Sequence, residues 1–126
     1  MNIIIPKTAL ISLSDKSNLD ELIEFLLDQE VKIISTGGTY KAIKKITDQV
    51  VEVSEFTGFE EMMDGRVKTL HPKIHAGILA RREKDLEVLT DRGYEVIDMV
   101  IVNLYPFQET VASGSSFDEA IEKIDI

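Results

Sequence analysis

Cysteine is absent from this chain of 126 residues, and positive charge is scarce: 14 Lys and Arg stand against 23 Asp and Glu, for a formal charge of -9. Without a thiol there is no disulfide and no cysteine nucleophile or ligand, and a reducing compartment is permitted. The acidic balance excludes broad, non-specific nucleic-acid binding, which needs an extended basic face. No apolar run reaches the roughly 18 residues that span a bilayer. The opening MNIIIPKTALIS is not laid out as a signal peptide, because Pro6 and Lys7 interrupt it and no small-residue cleavage site follows. Internal repeats, low-complexity tracts and linkers are also missing; SGSS at residues 113–116 reads as a loop. These absences leave one soluble, cytoplasmic domain as the expectation, long enough to bury a core.

The scarce positive charge is concentrated. Residues 65–82 carry Arg66, Lys68, Lys73, Arg81 and Arg82 without one acid, and both histidines, His71 and His75, fall there too. A segment of this kind in an acidic chain raises the question of an anionic ligand, against the plainer reading of a basic loop offsetting Glu60, Glu61 and Asp64.

Strand and helix patterns alternate along the chain. Residues 9–13 form a short apolar run that reads as a buried strand. Leu19, Leu22, Ile23, Leu26 and Leu27 then recur at helical spacing, with Asn18 as candidate N-cap and Glu21 completing a capping box. Residues 31–35 (VKIIS) predict a second strand, 40–46 a short helix and 50–53 a third strand. Residues 60–63 predict a helical turn, and Pro72 is expected to keep 65–75 from forming a helix. Residues 76–80 fit strand or helix and 84–92 a helix. Residues 96–102, where Asp98 is the one polar residue, predict a central strand, and 117–124 a last helix capped by Ser116. Such alternation predicts an α/β fold, a mostly parallel sheet covered on both faces by helices. The chain stops at Lys123-Ile124-Asp125-Ile126, within an apolar pattern and without a helix stop signal, which suggests a piece of something longer.

Ligands of open parallel sheets sit beyond the carboxyl ends of the strands. Three strand exits are polar here: Ser12-x-Ser14-Asp15-Lys16, Ser35-Thr36-Gly37-Gly38-Thr39 and Asn103-x-Tyr105. In the second, two glycines let the backbone approach an anion, hydroxyls flank them, and a helix N-terminus follows. It matches neither the Walker A pattern nor the dinucleotide fingerprint, and a tight βα turn explains the glycines equally simply. Arg66 and Lys68 alternate, so on extended backbone they point the same way and, with Thr69, suit a phosphate or a developing oxyanion. His71 and His75 have metal-ligand spacing for a helix, but Pro72 argues against that helix and no third ligand is evident, so no metal site is expected.

Taken together, SLSDK at residues 12–16, STGGT at 35–39, VSEFTGFEEMMDGRVKTLHPKIHAGILAR at 53–81, NLYPF at 103–107 and EKIDI at 122–126 resemble the inosine monophosphate cyclohydrolase domain. That domain is part of a bifunctional purine-biosynthesis enzyme that also carries aminoimidazole carboxamide ribonucleotide formyltransferase. The resemblance covers essentially the whole chain. It implies the methylglyoxal-synthase-like fold, a three-layer αβα arrangement with a central, mostly parallel sheet. It also implies closure of the purine ring of 5-formamidoimidazole-4-carboxamide ribonucleotide, with loss of water.

Residue by residue, the resemblance assigns Ser14, Asp15 and Lys16 to a first nucleotide-binding loop, and Thr36, Gly37, Gly38 and Thr39 to a phosphate loop. It assigns Arg66, Val67, Lys68 and Thr69 to a third binding segment, and Val102 and Asn103 to contacts with the base. Lys68, Tyr105 and Asp125 become the catalytic candidates. The implied partner is a small purine nucleotide, with no nucleic acid, membrane, metal or cofactor. A homodimer covalently linked to a formyltransferase domain is implied for the full-length enzyme. The family continues past the IDI segment with a glycine pair, a further lysine and more helices, so residues 1–126 are expected to be a truncated domain without its formyltransferase half. A non-catalytic nucleotide-binding module and methylglyoxal synthase share the fold and stand as alternatives; the NLYPF and RVKTLHP blocks favour the cyclohydrolase.

Overall fold

Ile33 and Ile34 are adjacent and both fully buried, because a strand turns successive side chains to opposite faces and here both faces are covered. In the computed structural model, which describes residues 3–63 and 67–104, they belong to β2 (Lys32–Ser35). It lies beside β1 (Thr8–Ser12) and β3 (Val51–Glu52), and β4 (Met99–Val102) lies on the far side of β1, giving the order β3-β2-β1-β4 with every pair parallel. Ile33 packs with Ala9 and Ile11 against Leu19, Ile23 and Leu26 of α1 (Leu19–Asp28) and Ile43 of α2 (Gly37–Lys44). Ile34 packs with Leu10 against Val53 and Phe56 of α3 (Val53–Thr57) and Ile74 of α4 (Pro72–Leu79). The last helix described, α5 (Leu86–Asp91), contributes buried Leu89. The expected α/β architecture, a parallel sheet between helical layers, is what the chain adopts.

The helical period of residues 19–27 does produce α1, but not the expected cap. Asn18 takes a left-handed conformation (φ 62) and its side chain makes no capping bond. The turn is built instead by Asp15, whose Oδ1 accepts from the Ser17 amide at 2.9 Å and the Ser17 hydroxyl at 2.6 Å. At the other end Glu30, at φ 58, occupies the left-handed position of a Schellman turn: its amide donates to Leu27 O and that of Val31 to Leu26 O.

Pro72 starts a helix rather than preventing one. It stands at the first position of α4, where the missing N–H has no helical partner to lose. His71 is the N-cap, its Nδ1 accepting from the Lys73 amide at 3.0 Å while its ring lies 4.9 Å from that of Phe59. Residues 76–80, ambiguous by pattern, fall largely within this helix. Residues 60–63 form no helical turn; Met62 pairs with Val67 in an antiparallel bridge. β3 is shorter than expected because α3 begins directly at Val53.

Residues 96–102 also differ from expectation. Only Met99–Val102 is strand, and among the described residues β4 closes the order rather than lying at its centre. Asp98 precedes it and ties the sheet's amino end together. Its Oδ2 accepts from the Lys7 and Thr8 amides at 2.9 and 3.1 Å, Oδ1 takes an Arg82 bond, and its own amide donates to Thr8 O. Burial pushes this carboxyl up, but the Arg82 bond and the two amides outweigh it and hold its pKa below the usual value. The helix expected over residues 117–124 lies outside the described residues.

Candidate functional site

Strand order 3-2-1-4 reverses at β1, where chain progression turns from the β2 side to the β4 side, and such a switch point opens a crevice at the carboxyl ends of the strands. The polar exits of the sequence gather there. The β1 exit runs through Ser14, Asp15 and Lys16. The β2 exit supplies Thr36, with Gly37, Gly38 and Thr39 as the first turn of α2, and the β4 exit supplies Val102 and Asn103.

Glycine is required at position 37 by backbone shape, since φ is +49. As at any helix start, the amides of the first turn have no intrahelical acceptor, and their dipoles favour negative charge. Both lysines of the forecast reach this turn. A β-carbon on Gly37 would lie 3.9 Å from Lys68 Nζ, and one on Gly38 would lie 3.9 Å from Lys16 Nζ. Two ammonium groups thus approach adjacent glycines from opposite segments of the chain, one from just after β1 and one from the loop between α3 and α4.

Buried hydroxyls line the floor. Ser35 Oγ donates to Ile11 O at 2.7 Å, and Ser12 Oγ lies 3.4 Å from Thr36 Oγ1. Thr39 Oγ1 accepts from the Leu13 amide at 2.9 Å and donates to the Leu13 carbonyl at 3.0 Å. That carbonyl also accepts from Lys16 Nζ at 3.0 Å. Asn103 Oδ1 accepts from the amides of Ser14 (2.6 Å) and Asp15 (3.1 Å), and its Nδ2 donates to Asp15 O at 2.8 Å. Asp15 itself faces Ser17, whose hydroxyl and amide bonds hold its carboxyl below the ordinary carboxylate value.

Lys68 is half-buried and shares a cleft with Thr36, Gly37, Glu52, Val53, Ser54 and Glu61. It is delivered there by the Met62–Val67 bridge, which turns the loop back on itself with Met62 N to Val67 O at 2.9 Å and Val67 N to Met62 O at 3.1 Å. Thr69 follows, its carbonyl accepting the His71 amide at 2.8 Å. Val102 ends β4 with its side chain exposed. Arg66, Tyr105 and Asp125 lie outside the described residues. His75 is exposed on α4, and among the described residues no three His, Cys, Asp or Glu side chains come together as a metal-binding group.

The sequence reading missed four cleft residues: Glu52, Val53, Ser54 and Glu61. Glu52 had a signal, since it stands at the exit of the third strand, where the same rule that picked the other exits applies. Glu61 had none; it reaches the cleft only through the loop's folding back.

Fold and site together define an α/β domain of the parallel-sheet class, with two lysine ammoniums at a glycine turn beyond the strands' carboxyl ends. The chain belongs to the MGS-like domain family, whose model matches residues 18–126. Among its relatives, the bifunctional purine biosynthesis protein PurH of Fusobacterium nucleatum subsp. nucleatum is 55% identical over 122 residues, covering 95% of this chain and 24% of that protein. The PurH of Cutibacterium acnes matches with the same identity and coverage. The chain therefore spans about a quarter of the length of the curated relatives it matches, and aligns with their N-terminal region. Among solved structures, the crystal structure of ForH is similar with a TM-score of 0.71 and 34% identity, over 79% of this chain and 53% of that one. No helix among the described residues is long and apolar enough to cross a membrane.

Proposed function

We propose that this chain carries the inosine monophosphate cyclohydrolase step of purine biosynthesis, closing the ring of 5-formamidoimidazole-4-carboxamide ribonucleotide with loss of water. The observation that carries this reading is the convergence of Lys16 and Lys68 on the Gly37-Gly38 turn, in a chain 55% identical to a bifunctional purine biosynthesis protein. The nucleotide's phosphate sits at the first turn of α2, where amide donors and Lys16 meet its charge.

The reaction joins the carboxamide nitrogen to the formyl carbon, and the formyl oxygen leaves as water after protonation. An amide nitrogen is a weak nucleophile, so near-attack positioning and proton removal supply much of the acceleration. Lys68, beside the glycine turn and half-buried, stabilises the oxygen that becomes negative. Asp125 accepts the amide proton or orients the amide, and Tyr105 assists at the oxygen; both assignments rest on the resemblance. The partner is a small purine nucleotide, and the full-length protein is a cytoplasmic homodimer that also carries a formyltransferase region.

The test supplies the formylated ribonucleotide to the protein and follows inosine monophosphate. Product formation that is lost in Lys68→Met supports the reading. Methylglyoxal formed from dihydroxyacetone phosphate would overturn it in favour of the lyase. Thermal stabilisation by inosine or xanthosine monophosphate without turnover would mark a regulatory module instead.

A further inference from the structure

Three consecutive amides of the β1–α1 loop, those of Leu13, Ser14 and Asp15, all end on side chains. Leu13 N–H goes to Thr39 Oγ1, and Ser14 and Asp15 N–H go to Asn103 Oδ1. In a glycine-rich anion nest such amides would point at the ligand; here they are consumed. Thr39 is 4% exposed, and its single hydroxyl proton is spent on the Leu13 carbonyl. That hydroxyl has no proton left to donate to a phosphate oxygen, and only the Thr39 backbone amide remains free to do so. Asn103 uses its Oδ1 twice and its Nδ2 once on the same loop.

The Leu13 carbonyl is where these bonds meet Lys16. It accepts from both Thr39 Oγ1 and Lys16 Nζ, each at 3.0 Å, and the ammonium so held stands beside Gly38. One side chain from α2 and one from the β4 exit therefore clamp the loop from its two flanks, across the switch point of the sheet. An ammonium has three donors, so fixing it through Leu13 leaves it able to meet an anion.

We propose that the side chains of Thr39 and Asn103 are positioning groups that preset the β1–α1 loop so that Lys16 meets the ligand's phosphate. This rests on the nucleotide-binding reading above and sharpens it: the loop acts as an arm for one cation. Removing either clamp lets the ammonium drift from the glycine turn, and its ordering then has to occur on binding.

A double-mutant cycle tests this, with inosine monophosphate as the probe and affinity measured by calorimetry on the full chain. In the Lys16 background, Thr39→Val and Asn103→Ala should each weaken binding by roughly tenfold, and in a Lys16→Met background by about twofold or less. Thr39→Ser keeps the hydroxyl and should restore the affinity. Melting temperature should fall alike in both backgrounds, since the loop bonds belong to the fold whichever residue stands at 16. If Thr39→Val or Asn103→Ala does not fold, Asn103→Ser is read in the same cycle; its short, neutral hydroxyl removes the bonds to the loop without adding a charge. Additive losses, with the full effect persisting in Lys16→Met, would overturn the positioning role while leaving the nucleotide site intact. Absence of nucleotide binding by the unaltered chain would overturn both.

Discussion

A β-carbon on Gly77 would stand 2.7 Å from the carbonyl oxygen of Glu95 and 3.1 Å from Ile97 Cγ1. The contact is reinforced by the Ile97 amide, which donates to the Gly77 carbonyl at 2.9 Å. Glycine inside α4 weakens the isolated helix, yet no other residue lets the helix lie this close to the segment leading into β4. Gly77→Ala should therefore destabilise the chain by roughly 1–3 kcal/mol through overpacking against backbone. Urea unfolding measures this, and a variant as stable as the parent would show that the helix can move away without cost.

Glu30 illustrates the opposite case. It is exposed, stands at φ 58, and closes the Schellman turn of α1 in a conformation that suits glycine. Relief of left-handed strain should make Glu30→Gly more stable by about 1 kcal/mol, read as a rise in thermal midpoint. A fall would mean that the Glu30 side chain contributes more than its backbone costs.

Gly37 and Gly38 should respond differently to the same substitution. Gly37→Ala places alanine at φ +49 and should lose about 1 kcal/mol of stability. Gly38→Ala lies in ordinary helical conformation and should be neutral or gain up to about 1 kcal/mol from helix propensity. Both methyls would stand 3.9 Å from a lysine Nζ, so nucleotide affinity should drop in both. Unchanged affinity in the two variants would argue that the anion does not approach this turn.

Acid should loosen the amino end of the sheet through Asp98. Its folded pKa lies below the ordinary value, so it contributes stability above the unfolded pKa of about 3.9 and loses it as pH falls through the lower folded value. Asp98→Ala should cost about 2 kcal/mol at neutral pH, from loss of charge-assisted bonds, and the gap to the parent should narrow below about pH 4. Denaturant melts across that range measure it; a gap that stays constant with pH would count against the carboxylate's role. Asp85, held down to about 2 by the Arg81 side chain and amide, is common to parent and variant, so its own titration cancels from the gap.

Much of the fold was legible because its signals are local. The helical period of Leu19, Ile23 and Leu26 and the β-branched run into Ser35 each name an element without reference to anything distant. The failures share a cause of the other kind. Asn18 with Glu21 spelled a capping box, but Asp15 had already claimed the turn through Ser17. Pro72 looked like a breaker because its place at the first helical position depends on where His71 caps the helix.

The alternation of strands and helices, the parallel sheet and the glycine turn after β2 were determined by the sequence alone, since periodicity and glycine act over a few residues. The arrangement that gives those parts a site was decided only by tertiary structure. Lys16 and Lys68 are far apart in the chain, and strand order at the switch point brings them to neighbouring glycines. Asn103 reads as a ligand contact in sequence, while in the fold its side chain holds Ser14 and Asp15. A hydrogen bond is short-ranged and directional, so what a polar side chain binds is fixed by the neighbours that folding gives it.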